Sequence, residues 1–218
     1  MKFKIAFFLI VASIGFSFKM IAKPTKIKNV EIKWMKQLKG NFSFKEEWSY
    51  SEFVYKNKFG QLSCDGDCPI EIDAMKNKYG KIYNDSLSNF YQYIDTSHLF
   101  HSLESTNNMY EYSGTNIIVF KKQENGILRG ESLENTSTHS RLILEINKDV
   151  CTAWVKFNSI KSFSEVVFPL EKGNIKIDQK IFEKGILKAV FDFKFENTLD
   201  TEKSLFWKGK IYSTIEII

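Results

Sequence analysis

Strict alternation of apolar and polar residues is the clearest pattern in the C-terminal part of the chain. Every second residue from Leu187 to Phe195 is apolar, and most of the residues between them are charged. A second run of this kind, residues 205–217, follows a turn at 197–204. Because successive side chains of a strand point to opposite faces, each run predicts a strand with one buried face. Together they predict a β-hairpin.

Alternating patterns predict further strands along most of the chain, separated by short polar turns. These strands are predicted at 42–50, 110–120, 127–133, 141–146, 150–160, 166–168 and 175–177. Just after the first of them the alternation slips near Glu52 and Phe53, which a β-bulge would explain.

Helical spacing is found in a stretch between residues 69 and 94. Four apolar residues follow the i, i+3, i+4, i+7 spacing of a helix with one buried face: Leu87, Phe90, Tyr91 and Ile94. Asp85 or Ser86 is a suitable N-cap for this helix. A second short helix is predicted at 69–77, since Pro69 is well tolerated in a first helical turn.

These elements predict an all-β fold of roughly nine or ten antiparallel strands, with one or two short helices inserted near the N-terminal third. A β-sandwich and a closed barrel would both hide the edges of such a sheet, and the pattern does not choose between them. The Gly-x-aromatic triplet at 40–42 resembles the start of lipocalin barrels, which implies a lipocalin-like barrel. We see no internal repeat and no linker rich in Pro, Gly or Ser, so we expect a single domain at 23–218.

The first 22 residues have the form of a secretory signal peptide. Lys2 and Lys4 precede an apolar run at 5–15, and small residues offer cleavage after Ser17 or after Ala22. The run is shorter than the roughly 18 to 20 apolar residues that span a bilayer, so no stable transmembrane anchor is predicted. High Lys, Ile, Asn and Phe usage is typical of an AT-rich bacterial genome. We therefore expect an exported bacterial protein, periplasmic or at the cell surface or secreted.

Charge and motif content argue against some classes of function. The chain has 31 basic and 26 acidic side chains, and three of the lysines lie in the predicted signal segment. The remaining lysines alternate with acids and form no basic block, so no nucleic acid partner is expected. The sequence contains no H-E-x-x-H, G-x-S-x-G or glycine-rich phosphate loop. This favours a protein without enzymatic activity, and a hydrolase with an unrecognised site is left as an alternative.

Three cysteines are present, and two of them lie close together in the sequence. Cys64 and Cys68 are separated by Asp65-Gly66-Asp67, a short loop that allows a disulfide in an oxidising compartment. The two aspartates lack the full spacing of a calcium loop and are interpreted as turn residues. Cys151 shares its strand face with apolar residues and is expected to be a buried, inert thiol.

The segment 59–75 reads F-G-Q-L-S-C-D-G-D-C-P-I-E-I-D-A-M. Its C-x-x-x-C-P core, with Phe-Gly before it and Met after it, resembles the Sco family of copper chaperones. The resemblance implies a thioredoxin-like fold and copper held by Cys64 and Cys68, with His98, His101 or His139 as the third ligand. Soft thiolates and an imidazole are suitable copper ligands. The other interpretation of the same segment is a structural disulfide loop.

Six tyrosines are concentrated in one third of the chain: Tyr79, Tyr83, Tyr91, Tyr93, Tyr110 and Tyr112. Tyrosine suits sugar or protein recognition because its rigid apolar ring ends in a polar hydroxyl. It is also a favoured strand residue, so a purely structural interpretation stays open. His98 and His101, with Asp95 nearby, are interpreted as packed or surface residues in the absence of a metal-site motif.

The leading hypothesis from the sequence is an exported, non-enzymatic all-β domain that binds a partner in the bacterial envelope. The partner is an unknown small ligand, glycan or protein, the six tyrosines are its possible binding surface, and no cofactor is expected. The alternative is a copper-binding or thiol-redox protein that uses Cys64 and Cys68, with His98 as the metal ligand placed nearest to them.

Overall fold

The computed structural model describes residues 28–64, 68–133, 139–159 and 165–217. The predicted signal peptide at 1–22, with its cleavage points after Ser17 and Ala22, lies outside the described residues, and so do Asp65 and Asp67. Strands form most of the regular structure in the described part of the chain, which confirms the predicted all-β class.

The strands, in chain order, are β1 Asn29–Met35, β2 Trp48–Tyr50, β3 Val54–Lys56, β4 Leu62–Cys64, β5 His98–Phe100, β6 Leu103–Asn108, β7 Ile118–Lys122, β8 Leu128–Ser132, β9 Ser140–Asn147, β10 Val150–Asn158, β11 Glu165–Asp178, β12 Ile186–Phe195 and β13 Leu205–Ile217. The α-helices are α1 Ile70–Ala74, α2 Leu87–Tyr93 and α3 Gln179–Phe182, and two 3-10 turns lie at Ser43–Glu46 and Asn84–Ser86. Within the described ranges, no helix is long and apolar enough to cross a bilayer.

Eight of the strands close into a barrel in the order β11, β1, β10, β9, β8, β7, β13 and β12, and β12 pairs with β11. Most neighbours are antiparallel, but β1 runs parallel to β11 and β7 runs parallel to β13. Closure removes the unpaired edges that an open sheet would expose. Of the two architectures that the alternating pattern allows, the structure adopts the barrel.

The predicted C-terminal hairpin is formed by β12 and β13, whose register places Phe193 opposite Trp207. The alternating apolar residues of β12 are all buried, and both Phe193 and Trp207 have no exposed surface. Buried apolar side chains from all eight barrel strands belong to the same core. The inside of the barrel is therefore filled by side chains, as in other closely packed protein interiors.

Two strands predicted at 166–168 and 175–177 are one continuous strand, β11, so the break expected at Pro169 and Gly173 is wrong. A side chain at Gly173 would collide with the backbone of β12 and with Phe193. The glycine therefore permits a close approach of two strands and does not end the first one.

The strand predicted at 42–50 is also only partly correct. Its first half forms the 3-10 turn Ser43–Glu46, and only β2 is extended. The side chain of Asn41 accepts a hydrogen bond from the backbone N–H of Ser43 at 2.9 Å, and such local bonding competes with strand pairing. Phe42 and Phe44 of this segment form a small separate cluster with Leu38.

The strand predicted at 110–120 is only partly correct, because residues 110–117 form a loop between β6 and β7 and only residues 118–120 are extended, as the start of β7. Tyr110 lies in this loop, and its ring stacks on Phe157 and on Phe168 with centroid distances of 5.9 Å. Its hydroxyl is hydrogen-bonded to the side chain of Asn197. Tyr110 therefore joins the barrel core from a loop and not from a strand.

Between β1 and β6 the chain leaves the barrel and builds a second, four-stranded sheet in the order β4, β3, β2 and β5. We call residues 48–100 the inserted lobe. The predicted helices at 69–77 and 87–94 are α1 and α2 of this lobe, although the Ser86 side chain makes no capping hydrogen bond. The lobe has a core of its own: Tyr50, Val54, Leu62, Ile72, Phe90 and Ile94.

Hydrogen bonds on both sides of the inserted lobe fix the chain to the barrel. On the entry side, the buried carboxylate of Asp178 accepts a hydrogen bond from the Leu38 N–H at 2.8 Å, and Lys188 donates to the Leu38 carbonyl at 2.7 Å. On the exit side, Tyr212 of β13 donates its N–H to the Ser102 carbonyl at 2.9 Å. The chain is thus anchored to barrel strands at Leu38, before the lobe begins, and at Ser102, just after it ends.

Candidate functional site

Exposed apolar side chains are concentrated on the inserted lobe. Of the fifteen large apolar side chains that are exposed in the described residues, nine lie in the lobe. These nine are Phe59, Ile70, Tyr79, Tyr83, Leu87, Tyr91, Tyr93, Leu99 and Phe100. The rest of the described chain is more than twice as long and carries the other six. Large exposed apolar patches with polar rims typically mark interaction sites.

The structure places five of the six candidate tyrosines at the surface. Four of them belong to the lobe and are at least half exposed: Tyr79, Tyr83, Tyr91 and Tyr93. Tyr112 is exposed on the loop between β6 and β7, whereas Tyr110 is packed against the core. The tyrosines therefore do not form one continuous set, and the lobe holds most of those that face solvent.

Cys64 ends β4 and Cys68 precedes α1, with Cα atoms 5.2 Å apart in a disulfide arrangement. Both residues pack against the core of the lobe. The Lys76 ammonium donates a hydrogen bond to Cys68 Sγ at 2.9 Å and pairs with Asp73 at 2.6 Å. Cys151 lies far from this pair in the barrel core, where burial raises the pKa of its thiol to about 12.

The three histidines occupy three different environments. His98 is exposed on β5, with its ring 4.6 Å from that of Trp48. His139 lies on the barrel, 3.9 Å from a Glu111 carboxylate oxygen. His101 is buried, with Nδ1 3.3 Å from Glu47 Oε2. No group of three or more His, Cys, Asp or Glu side chains in the described ranges is arranged to hold a metal ion.

The thioredoxin-like fold implied by the resemblance to the Sco family is wrong for this chain. The segment that carries the two cysteines belongs to a small antiparallel sheet, and the chain that follows builds a barrel. The resemblance of 59–75 to the copper chaperones is therefore limited to a short stretch of sequence and does not extend to the architecture.

A groove of about 490 Å³ separates the lobe from the barrel. It is lined by Lys45, His98, Phe100, His101, Ile118 and Tyr212. In the described structure the Nε2 atom of His101 is buried and has no hydrogen-bond partner. Burial lowers the pKa of His101, and the neighbouring Glu47 carboxylate only partly opposes that effect.

A second concavity, of about 480 Å³, lies at the end of the barrel that α3 partly covers. Its apolar lining includes Trp34, Leu128, Ile146, Phe182 and Ile215. The Trp34 ring packs edge-on against Phe182 at 5.1 Å and donates its N–H to Asp149 at 2.9 Å. These two contacts hold the tryptophan ring in one orientation at the wall of the pocket.

The inserted lobe also contains a short sequence repeat, so the expectation of no internal repeat is wrong. Residues 56–60 read K-N-K-F-G and residues 76–80 read K-N-K-Y-G, and each is followed by one polar and one aliphatic residue. A comparison of the sequence with itself at an offset of twenty residues would have found the repeat. We call the two segments, 56–60 and 76–80, the twin turns.

The twin turns fold in the same way. The side chains of Asn57 and Asn77 each accept hydrogen bonds from two backbone N–H groups of their own turn, at 2.8–3.2 Å. Gly60 and Gly80 both have a φ of 73°. This left-handed conformation suits glycine and closes the short hairpin loop.

Comparisons with known proteins do not assign the chain to a family. It matches no protein-family model, no curated protein sequence and no solved structure.

Proposed function

We propose that this protein is an exported, non-enzymatic binding protein of the bacterial envelope, in which the barrel is a scaffold and the inserted lobe binds the partner. The observation that carries this proposal is the concentration of exposed aromatic and aliphatic side chains on the lobe. When a partner covers these side chains, each Å² of apolar surface removed from water contributes about 25 cal/mol to the free energy of binding.

The construction of the lobe supports a binding role. The disulfide arrangement of Cys64 and Cys68, the two helices and the small core hold the exposed rings on a fixed framework. A rigid aromatic side chain loses little conformational entropy on binding, so more of the contact energy contributes to affinity.

Two features of the sequence support export. The basic head and short apolar run of residues 1–22 have the form of a signal peptide. A cysteine pair at disulfide distance fits an oxidising compartment such as the periplasm or the cell exterior. N-terminal sequencing of protein from envelope fractions tests this part of the proposal. We expect a chain that starts at Phe18 or Lys23, and an intact Met1 in cytosolic protein would contradict it.

The binding role is tested by two matched sets of substitutions. In the lobe variant, Tyr79, Tyr91 and Tyr93 are replaced by Ser. In the barrel variant, Tyr112, Val150 and Val167, which are also exposed, are replaced by Ser. The measurement is saturation binding of each purified protein to sedimented bacterial envelope material.

We expect the native protein and the barrel variant to bind equally and the lobe variant to bind at least tenfold more weakly, as for the loss of aromatic anchors. Far-ultraviolet circular dichroism and the urea midpoint show that each variant is folded. Equal binding by all three folded proteins, or no saturable binding by the native protein, would contradict the binding role of the lobe.

A thiol-redox role is the second candidate, and one contact favours it. The Lys76 ammonium lies 2.9 Å from Cys68 Sγ, and a neighbouring cation stabilises a thiolate over a thiol. If the pair is redox-active, a dithiol reductant should open it readily in the native protein and more slowly in Lys76→Met. Equal rates of reduction in the two proteins would contradict a thiol-redox role and indicate that the cysteine pair is structural.

A further inference from the structure

Each of the twin turns presents a lysine next to an exposed ring. The Lys58 ammonium lies 5.4 Å from the centre of the Phe59 ring, and the Lys78 ammonium lies 5.0 Å from the centre of the Tyr79 ring. Phe59 is 68% exposed and Tyr79 is 64% exposed. Both turns therefore offer solvent the same combination of a flat apolar face and a positive charge.

The backbone of the turn does not require this combination. The turn between β7 and β8 closes in the same way: Gly126 donates to the Gln123 carbonyl and has a φ of 81°. In that turn Glu124 and Asn125 occupy the positions of the lysine and the ring. The same geometry thus forms in this chain without a lysine and without an aromatic residue, so the repeated pair calls for another explanation.

The sequence around the twin turns favours an anionic ligand. Residues 55–63 and 75–83 contain five lysines and no acidic residue. One of these lysines, Lys76, is paired with Asp73 outside the two segments. The two turns themselves are therefore positively charged, although the whole lobe has seven acidic residues against these five lysines.

The two turns are held side by side by the backbone. The Leu62 N–H, which follows the first turn, donates to the carbonyl of Gly80 in the second turn at 2.6 Å. A Cβ atom at Gly80 would lie only 2.6 Å from the Leu62 carbonyl oxygen. The approach is so close that it fixes the spacing between the backbones of the two turns.

We propose that the twin turns bind an acidic polysaccharide, one turn to each of two charged sugar units along the polymer. Each ring stacks on the apolar C–H face of a sugar, and the adjacent lysine pairs with its carboxylate or phosphate group. The assignment rests on the proposed binding role of the lobe and adds the ligand class and the contact residues. Two similar sites on turns whose backbones are held at a fixed spacing suit a ligand that repeats along its length, whereas a fluid lipid surface needs no fixed spacing.

The test uses oligosaccharides of increasing length from polygalacturonate, which carries carboxylates, and from phosphomannan, which carries phosphates. A neutral galactan serves as the uncharged control. Binding is measured by isothermal titration with the native protein, with a first-turn variant (Lys58→Gln, Phe59→Ser), with a second-turn variant (Lys78→Gln, Tyr79→Ser) and with both combined. The matched control changes the third turn, Glu124→Gln with Asn125→Ser.

We expect one of the two acidic polymers to bind, with an affinity that falls as salt is raised, and the galactan not to bind. Oligosaccharides that span both turns should bind roughly 100-fold more tightly than those that reach one turn. Either single-turn variant should lose this gain, the combined variant should lose binding, and the third-turn control should behave like the native protein.

Retention of acidic-polymer binding by the folded combined variant would overturn the assignment, as would the failure of both acidic polymers to bind. Preferential binding to anionic phospholipid vesicles or to single-stranded DNA, lost in the combined variant, would replace the polysaccharide by that occupant. If neither polymer binds but envelope material still distinguishes the lobe variant from the barrel variant, this inference fails and the proposed function stands. If envelope material does not bind either, both fail.

Discussion

At the scale of single residues, Phe193 shows how much one buried ring contributes to the barrel. Its ring lies 5.2 Å from that of Phe191 and 6.4 Å from that of Phe195, and it is fully buried. We expect Phe193→Ala to lower the free energy of unfolding by roughly 3 to 5 kcal/mol, because it leaves a cavity in a packed core. Urea denaturation measures the change, and a loss below about 1 kcal/mol would show that the barrel core is wrongly placed.

His101 provides a test of pH dependence at the same scale. Because burial lowers its pKa in the folded protein, the unfolded chain binds this proton at a higher pH, near about 6.5. Between the two pKa values the unfolded state holds more protons, so the free energy of unfolding should fall as the pH is lowered through about 6.5.

The matched variant for this effect is His101→Gln, which cannot take up the proton. We expect urea unfolding curves at a series of pH values from about 5 to 8 to show a weaker pH dependence in the variant than in the native protein. Superimposable pH profiles for the two proteins would contradict the burial of a neutral His101.

Tyrosine shows why residue type alone did not define the candidate site. Tyr79 and Tyr110 look alike in the sequence, but one is exposed on a hairpin turn and the other stacks on Phe157 and Phe168. Their exposure depends on which distant strands the chain brings next to them. The sequence indicated a group of tyrosines as a binding surface, and the fold determines which of them reach solvent.

At the scale of elements, the strands that follow strict alternation were predictable from the sequence. β12 obeys the period of two because one of its faces is buried along its whole length, and β13 follows the period less strictly, since Ile217 at its end is exposed. The 3-10 turn at Ser43–Glu46 and the continuous strand β11 were not predictable in this way. Their form depends on a local side-chain hydrogen bond and on a close strand contact at Gly173, which a pattern of apolar residues does not contain.

The twin turns were missed for a similar reason. Periodic apolar residues indicate strands and helices, whereas the repeat lies in two hairpin turns and consists of polar residues, one ring and a glycine. Nothing in the sequence shows that the two copies lie next to each other, because the hydrogen bond from Leu62 to Gly80 is a property of the folded lobe.

Gly60 and Gly80 form a matched pair for testing how the two turns are held together. Both have a φ of 73°, so alanine at either position is strained, by about 1 to 2 kcal/mol. Only at Gly80 would the new methyl group also meet the Leu62 carbonyl, since the Gly60 site has only the end of a lysine side chain near it.

We therefore expect Gly80→Ala to lower the free energy of unfolding more than Gly60→Ala, as measured by urea denaturation followed by tryptophan fluorescence. Equal losses in the two variants would mean that the twin turns are not in backbone contact.

At the scale of the whole molecule, the barrel and the lobe differ in how their apolar residues are distributed. The barrel buries its large side chains in one core, while the lobe leaves nine of them exposed around a small core. The closure of the barrel through two parallel pairs, β1 with β11 and β7 with β13, joins strands that are far apart in the sequence. The local pattern of apolar and polar residues does not indicate which distant strands pair. The sequence therefore predicted the class of fold but not its topology.

The proposed binding role requires that the partner contact the inserted lobe and not the barrel. Oxidative footprinting of the native protein, alone and with saturating envelope material, measures this contact directly at individual aromatic side chains. We expect Phe59, Tyr79 and Tyr93 to become protected in the bound state, while Tyr112, which is exposed on a barrel loop, keeps its rate of oxidation. Protection of Tyr112 with unchanged rates at the three lobe residues would contradict the account.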